Sequence, residues 1–254
     1  MIKFFRKIRQ NLLSEGKTGK YLKYAIGEII LVVIGILIAL SINNWNEKKK
    51  GKEELNQYLS SLKENIKEDI QVLDSLTKRR EIIINHSKKE RLNFLNKTFS
   101  FDDTRYALSS YRDFYLQPNT SAYDALKSSP YLGKINGTNL NYLIIDYYAK
   151  TYQIKEAEKS FNEFLENLEA KQAYDIDRSL VMAYIYMDPE QLKSTKTTQE
   201  EIENVFKKMH HSVAFRNIVS QAVNQEKGIL IPYKEAKLIG LNIISEINKI
   251  VEVK

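Results

Sequence analysis

The segment Tyr24–Ile42, YAIGEIILVVIGILIALSI, constrains this chain more than any other part of it. It carries a single charge, at Glu28. As a helix rising about 1.5 Å per residue it extends roughly 28 Å, the thickness of a bilayer's hydrocarbon core. A helix apolar on nearly every side has no polar face to offer water. No other stretch of the 254 residues has this character. The reading that follows is a basic tail over 1–23, one transmembrane helix over 24–45, and a large domain over 46–254.

Orientation follows from the flanks. The tail holds Lys3, Arg6, Lys7, Arg9, Lys17, Lys20 and Lys23 against one acid, Glu15. The far side has Lys48, Lys49, Lys50 and Lys52, interleaved with Glu47, Glu53 and Glu54. The Lys/Arg excess near the span favours a cytoplasmic N-terminus, and a long domain can be translocated regardless of its charge. Trp45 would then sit at the outer interface, where an indole is at home among headgroups. The competing reading is a cleaved signal peptide, with Ile29–Leu40 as its apolar core and Ala39-Leu40-Ser41 as a small-x-small site. The long region before the core and the spanning length of the apolar run favour a signal-anchor.

Residues 2–13 place Ile2, Phe5, Ile8 and Leu12 near one helical face and most of the basic residues off it. That suits a helix lying on an anionic leaflet. A tail that only sets topology is the other reading, and the pattern leaves both open. Gly16 and Gly19 are expected to interrupt the helix before the span.

A net charge of +7 raises the question of nucleic acid. Seven basic residues and one acid lie in the tail, Glu28 is in the span, and the remaining 32 basic and 30 acidic residues lie beyond it. The large domain is nearly neutral with mixed signs, and lacks the basic stripe that phosphate binding needs. Nucleic acid is excluded as a partner, and the basicity belongs to membrane topology.

On a helical wheel Glu28, Gly35, Ala39 and Asn46 share one face of the span. Gly35-xxx-Ala39 is a minimal small-xxx-small pair, which lets helix backbones approach closely. These four residues form a candidate interaction face for a second transmembrane helix, from its own copy or from another protein. The plainer account is that Glu28 lies about one turn inside the boundary and reaches the headgroups or Lys23.

Beyond the span the sequence reads as helical throughout. Leu55, Leu59, Leu62, Ile66, Ile70, Leu73 and Leu76 recur at three- and four-residue steps, an amphipathic helix able to continue from the span. Asp69 and Arg80 interrupt a coiled-coil register and favour a bundle face. Phe99–Asp103 breaks the pattern, and a second helix is expected to run to about Leu116. Ser121 with Asp124 reads as a capping box before Ala122–Ser128. Thr138 caps a long helix with Leu140, Ile144, Tyr147, Ile154, Phe161, Leu165 and Leu168 on one side. Further helices are expected over Ile176–Met187, Ile202–Lys227 and Tyr233–Val251. Glu190–Thr197 reads as a loop, and Thr198 with Glu201 as another capping box. Nine Gly, four Pro and no alternating runs define an all-α chain: one N-terminal transmembrane helix followed by an antiparallel helical bundle.

Chemistry is hard to find. His86, His210 and His211 are the only histidines, and neighbours on a helix diverge by about 100°. No metal-ligand spacing occurs, so all three are expected to be solvated, with no metal, no cofactor and no catalytic residue assigned. Asp102-Asp103 and Asp175-Ile176-Asp177 suit helix starts. Tyr147-Tyr148-Tyr152 and Tyr184-Tyr186 are expected to be core aromatics, with a ligand cavity or a partner surface as the alternatives for some of them. With no cysteine, disulfides, thiolate sites and lipoprotein anchoring are absent.

The N-terminal block resembles a family of single-pass Bacteroidota membrane proteins of unknown function. Their shared pattern is a basic Phe-Phe-Arg-x-Ile-Arg tail, then Tyr-Ala-Ile-Gly-Glu-Ile, an apolar span and Asn-Asn-Trp-Asn. In this chain these are Phe4–Arg9, Tyr24–Ile29 and Asn43–Asn46. Ala122–Leu132, Leu140–Tyr148 and Gly228–Lys234 are also similar. The resemblance implies a membrane location and supplies no catalytic residues. With the N-terminus inside, the expected place is the bacterial inner (cytoplasmic) membrane, the C-terminal domain being in the periplasm. The function expected is a non-enzymatic scaffold or accessory protein of an envelope complex, with the lipid bilayer and another envelope protein or a second copy as partners. The alternative is a small-ligand sensing ectodomain that signals through a partner.

Overall fold

The computed structural model describes residues 18–251. The tail motif Phe4–Arg9, the amphipathic stretch 2–13 and Gly16 lie outside the described residues. The chain divides into two compact units, residues 1–57 and 58–254. Helix α1, Thr18–Asn96, supplies the described part of the first unit and the opening helix of the second. Gly19 lies inside its first turn, so it does not interrupt the helix as expected. One glycine costs a helix only about 1 kcal/mol, which neighbouring residues readily absorb.

In the first unit the side chains of Ile29, Leu31, Ile36 and Ile42 are exposed, as is Trp45. The helix is long and apolar enough to cross a membrane by length and composition.

In the second unit most of the stripe becomes core: Leu59, Leu62, Ile66 and Leu73 are essentially inaccessible, and Ile70 is half-buried. Helix α1 ends in a Schellman-type cap. Lys97 takes the left-handed conformation at φ 57°, and the Thr98 N–H bonds to the Asn93 carbonyl at 3.0 Å. Helix α2, Phe101–Ala107, follows, with Ser100 as N-cap and both Asp102 and Asp103 in its first turn. One turn of 3-10 helix, Leu108–Tyr111, closes it. The expected helix to Leu116 is therefore shorter. Residues 112–120 run irregularly because their backbone groups are used elsewhere. The Leu116 N–H donates to Glu158, the Phe114 carbonyl accepts from Arg80, and the Asn119 N–H donates to Asp69.

Helix α3, Ser121–Ser128, forms where expected but without its capping box. The Ser121 hydroxyl donates instead to Asn119 Oδ1 at 2.7 Å. Gly137, at φ 74°, makes the last bend before α4, Asn139–Asp175, whose N-cap is Thr138. The buried side of α4 carries Leu140, Ile144, Tyr147, Ile154, Phe161 and Leu165, the face its periodicity indicates. Helices α5, Ser179–Tyr186, and α6, Pro189–Lys193, follow. The second of these stands where a loop was expected, because Asp188 caps the N–H groups of Glu190 and Gln191 with Pro189 in the first turn.

Thr198 and Glu201 form a complete capping box at the start of α7, Gln199–His211. The expected helix Ile202–Lys227 is split at Ser212, whose hydroxyl accepts from the Phe215 N–H and opens α8, Val213–Gln225. A π-turn, Glu226–Leu230, leads into α9, Ile231–Val251. Helix α9 packs along α4, and α8 packs on α4 as well. No strand occurs among the described residues. A second cluster of core residues, Phe206, Met209, Phe215 and Val219 with Val181 and Ala107, ties α2, α5, α7 and α8 together.

Candidate functional site

Helix α1 carries Glu28, Gly35, Ala39 and Asn46 at spacings that fall on one helical face. Gly35, Ala39 and Asn46 are exposed and Glu28 is half-exposed. A Cβ built on Gly35 meets nothing within 4 Å.

The two residues that broke the coiled-coil register, Asp69 and Arg80, are buried and paired. The Arg80 guanidinium is 1% exposed and lies 3.1 Å from Glu158 Oε1, itself wholly buried. Arg80 Nε donates to the Tyr233 hydroxyl at 2.9 Å, and its other nitrogens reach Gln225 Oε1 and the Phe114 carbonyl. The Tyr233 hydroxyl donates to Glu158, whose second oxygen accepts the Leu116 N–H at 2.7 Å. Asp69 accepts from the Asn119 N–H at 2.9 Å and the Tyr147 hydroxyl at 3.0 Å. Burial raises the Asp69 carboxyl above the usual carboxylate range despite those two donors. The networks join α1, α4, α9 and the 112–120 segment, and none of Arg80, Glu158, Tyr233 or Tyr147 is reachable by a substrate.

A third buried group corrects the histidine reading. His210 is 2% exposed, not solvated. Its Nδ1 lies 2.8 Å from Glu90 Oε1, which also accepts the Thr104 hydroxyl at 2.8 Å. Phe94 and Phe99 flank the ring at 4.9 and 5.5 Å between centroids. The sequence showed only that His210 and His211 diverge; which one faces inward depends on Glu90, 120 residues away. His211 is exposed, and His86 is half-buried. No cluster of His, Cys, Asp or Glu able to hold a metal occurs among the described residues.

Among the accessible clefts is a partly open one of about 520 Å³ in the second unit. Four separate segments line it: α1 with Ile82 and His86, the turn from Arg105 to Arg112, Glu169 of α4, and Arg178–Tyr186. Three arginines face it, against one acid. The Arg178 guanidinium pairs with Glu169 and lies 4.7 Å from the Tyr111 ring centre. Arg105 stacks on Tyr106 at 4.1 Å and meets the largely exposed Asp102 at 3.2 Å. The Arg112 side chain makes no hydrogen bond or ion pair among the described residues and is exposed. The His86 ring lies 5.0 Å from that of Tyr106, and burial, then Lys89, holds its pKa below the ordinary histidine value. Two buried nitrogens in this wall, His86 Nδ1 and Arg178 Nε, lack a hydrogen-bond partner. The sequence offered one hint of the cleft, arginine beside tyrosine in Arg105-Tyr106 and Tyr111-Arg112. Nothing in it pairs those residues with 178–186.

The second unit is thus an all-α bundle with sealed polar networks and accessible clefts, one of them lined by three arginines against a single acid. The chain belongs to a family of unknown function (DUF6090), whose family model matches residues 28–176, more than half of its length. No curated protein and no solved structure matches the chain.

Proposed function

We propose that this chain is a membrane-anchored, non-enzymatic accessory protein of the bacterial envelope. Residues 24–45 cross the inner membrane, the N-terminus stays in the cytoplasm, and the helical domain stands in the periplasm and holds a partner protein. The observation that carries the reading is the row of exposed Ile, Leu and Val side chains along α1 from Leu22 to Ile42. Exposed apolar surface on that scale is costly in water and favourable in lipid. The sealing of Arg80, Glu158, Tyr233, Glu90 and His210 supports a non-enzymatic role, because general acid–base work needs groups within reach of a substrate.

Mild-detergent capture from native membranes after light cross-linking tests the reading, with the chain compared to one whose 24–42 segment is polyleucine. A stoichiometric partner held by both forms supports an adaptor bundle. Loss of that partner with polyleucine moves the contact to the Glu28–Gly35–Ala39–Asn46 face. Recovery of the chain alone from both forms refutes the partner.

One observation favours a second reading, a sensing domain that signals through its partner. The cleft lies within the usual volume range of ligand pockets and combines apolar walls with a few convergent polar groups. In this reading a ligand acts by shifting the partner's equilibrium.

A further inference from the structure

The cleft's lining specifies a chemical class of ligand. Arg105, Arg112 and Arg178 against Glu169 leave an excess of two positive charges on its wall. The three arginines differ in how firmly they are engaged. Arg178 is held from two sides, by Glu169 and by the Tyr111 ring. Behind Glu169 stand Glu166 and Asp113, whose carboxyl is pushed up by burial and by those two acids. The Arg178 end is therefore electrostatically closed. Arg105 stacks on Tyr106 and is ion-paired with Asp102, which is 71% exposed, and a surface pair of that kind holds an arginine only weakly. Arg112 is tied to nothing. The strongest available donors for an anion are thus Arg105 and Arg112, at either end of one short turn. A guanidinium presents a planar fork that matches a carboxylate or phosphate.

The rest of the wall suits a flat apolar body. Ile82, Leu108, Val181, Met182 and Ile185 supply aliphatic surface. Tyr106 and Tyr184 supply ring faces and edges, Tyr184 being braced edge-on by Phe101 at 5.6 Å. His86 Nδ1 and Arg178 Nε add two buried polar atoms without a hydrogen-bond partner among the described residues, an arrangement that is costly to leave in place.

We propose that this cleft binds a small aromatic organic anion, its carboxylate or phosphate on Arg105 and Arg112 and its ring between Tyr106, Tyr184 and the aliphatic wall. The inference deepens the sensing reading and rests on it only for the biological use of the site.

Isothermal titration calorimetry on the detergent-solubilised full chain tests it, with phenyl phosphate and phenylacetate as the two anionic probes. Benzyl alcohol serves as the neutral probe and inorganic phosphate as the ringless one. At least one aromatic anion should saturate a single site, more tightly by tenfold or more than either the neutral or the ringless probe. The anion that binds distinguishes phosphate from carboxylate. Arg112→Gln and Arg105→Gln should each weaken binding about tenfold with melting unchanged, since both side chains are at the rim. Lys208→Gln removes the same charge from a different surface groove and should leave affinity unaltered. Absence of saturable binding by both anions overturns the site, as does equal weakening by all three substitutions. Binding that leaves partner capture unchanged preserves the site and removes the sensing reading instead.

Discussion

Replacing Glu158 by Gln keeps the side chain's shape and removes its charge, leaving Arg80 buried without a counter-charge. The geometry sets the size of the effect. At 3.1 Å and an effective dielectric of about 20, the attraction between unit charges is roughly 5 kcal/mol. Breaking a buried pair from one side typically costs about 3–5 kcal/mol. The new amide adds a conflict, because Glu158 accepts on both oxygens and an –NH2 group must then face a donor. Glu158→Gln should therefore destabilise the second unit by about 3–5 kcal/mol, a fall in Tm of about 10 °C for a domain of this size. Urea titration of the detergent-solubilised chain, followed by helical ellipticity, measures it. The double variant Arg80→Met/Glu158→Leu should not recover wild-type stability, as such replacements often do elsewhere. It would leave the Leu116 N–H, the Tyr233 hydroxyl and Gln225 stranded, at about 1–3 kcal/mol for each group. A Glu158→Gln chain within about 1 kcal/mol of the parent, or a double variant as stable as the parent, would refute the reasoning.

Other perturbations test separate parts of the account. A Cβ at Gly240 would approach Ile66 Cγ2 at 3.1 Å and Ile70 Cδ1 at 3.3 Å, so Gly240→Val should cost about 1–3 kcal/mol in the same urea assay. Lys97→Gly should stabilise by up to about 1 kcal/mol, because the left-handed cap position favours glycine; an unchanged urea midpoint would argue against strain there. His86 titrates below its ordinary value of 6.5 in the folded chain, so the unfolded chain takes up the proton first as pH falls. Its contribution is fully present above about pH 6.5 and is lost below it, and urea midpoints at pH 7.5 and 5.5 should differ less in His86→Gln than in the parent. Gly35→Leu should weaken self- or partner association in a bilayer reporter while insertion is unchanged; equal association by both forms would dismiss the Glu28–Gly35–Ala39–Asn46 face.

Periodicity and end signals made much of the fold legible. The apolar steps from Leu59 to Leu73 and from Leu140 to Leu165 mark the buried faces of α1 and α4, and Thr138 and the Thr198–Glu201 box mark helix starts. Failures came where a distant partner overrides a local pattern. Residues 112–116 have helical composition, yet Glu158 and Arg80 take their backbone groups and hold them out of a helix. Ser121 caps nothing because Asn119 engages its hydroxyl. Asp69, Arg80 and His210 look like surface residues in a linear reading, and only contacts 34 to 153 residues away make their burial tolerable. The cleft was illegible for the same reason, since its walls come from four segments spread over residues 82–186.

An anchored chain with its helical domain outside the cytoplasm is open to a direct topology measurement. The absence of native cysteine makes single-cysteine labelling unambiguous. Ser14→Cys in the tail and Ser194→Cys, at an exposed position in the turn after α6, would be probed with a membrane-impermeant maleimide after permeabilising only the outer membrane. The account predicts labelling at 194 and protection at 14 until the inner membrane is broken, with both chains staying in the membrane after alkaline carbonate washing. Labelling at 14 with protection at 194, or release of the chain by carbonate, would contradict it.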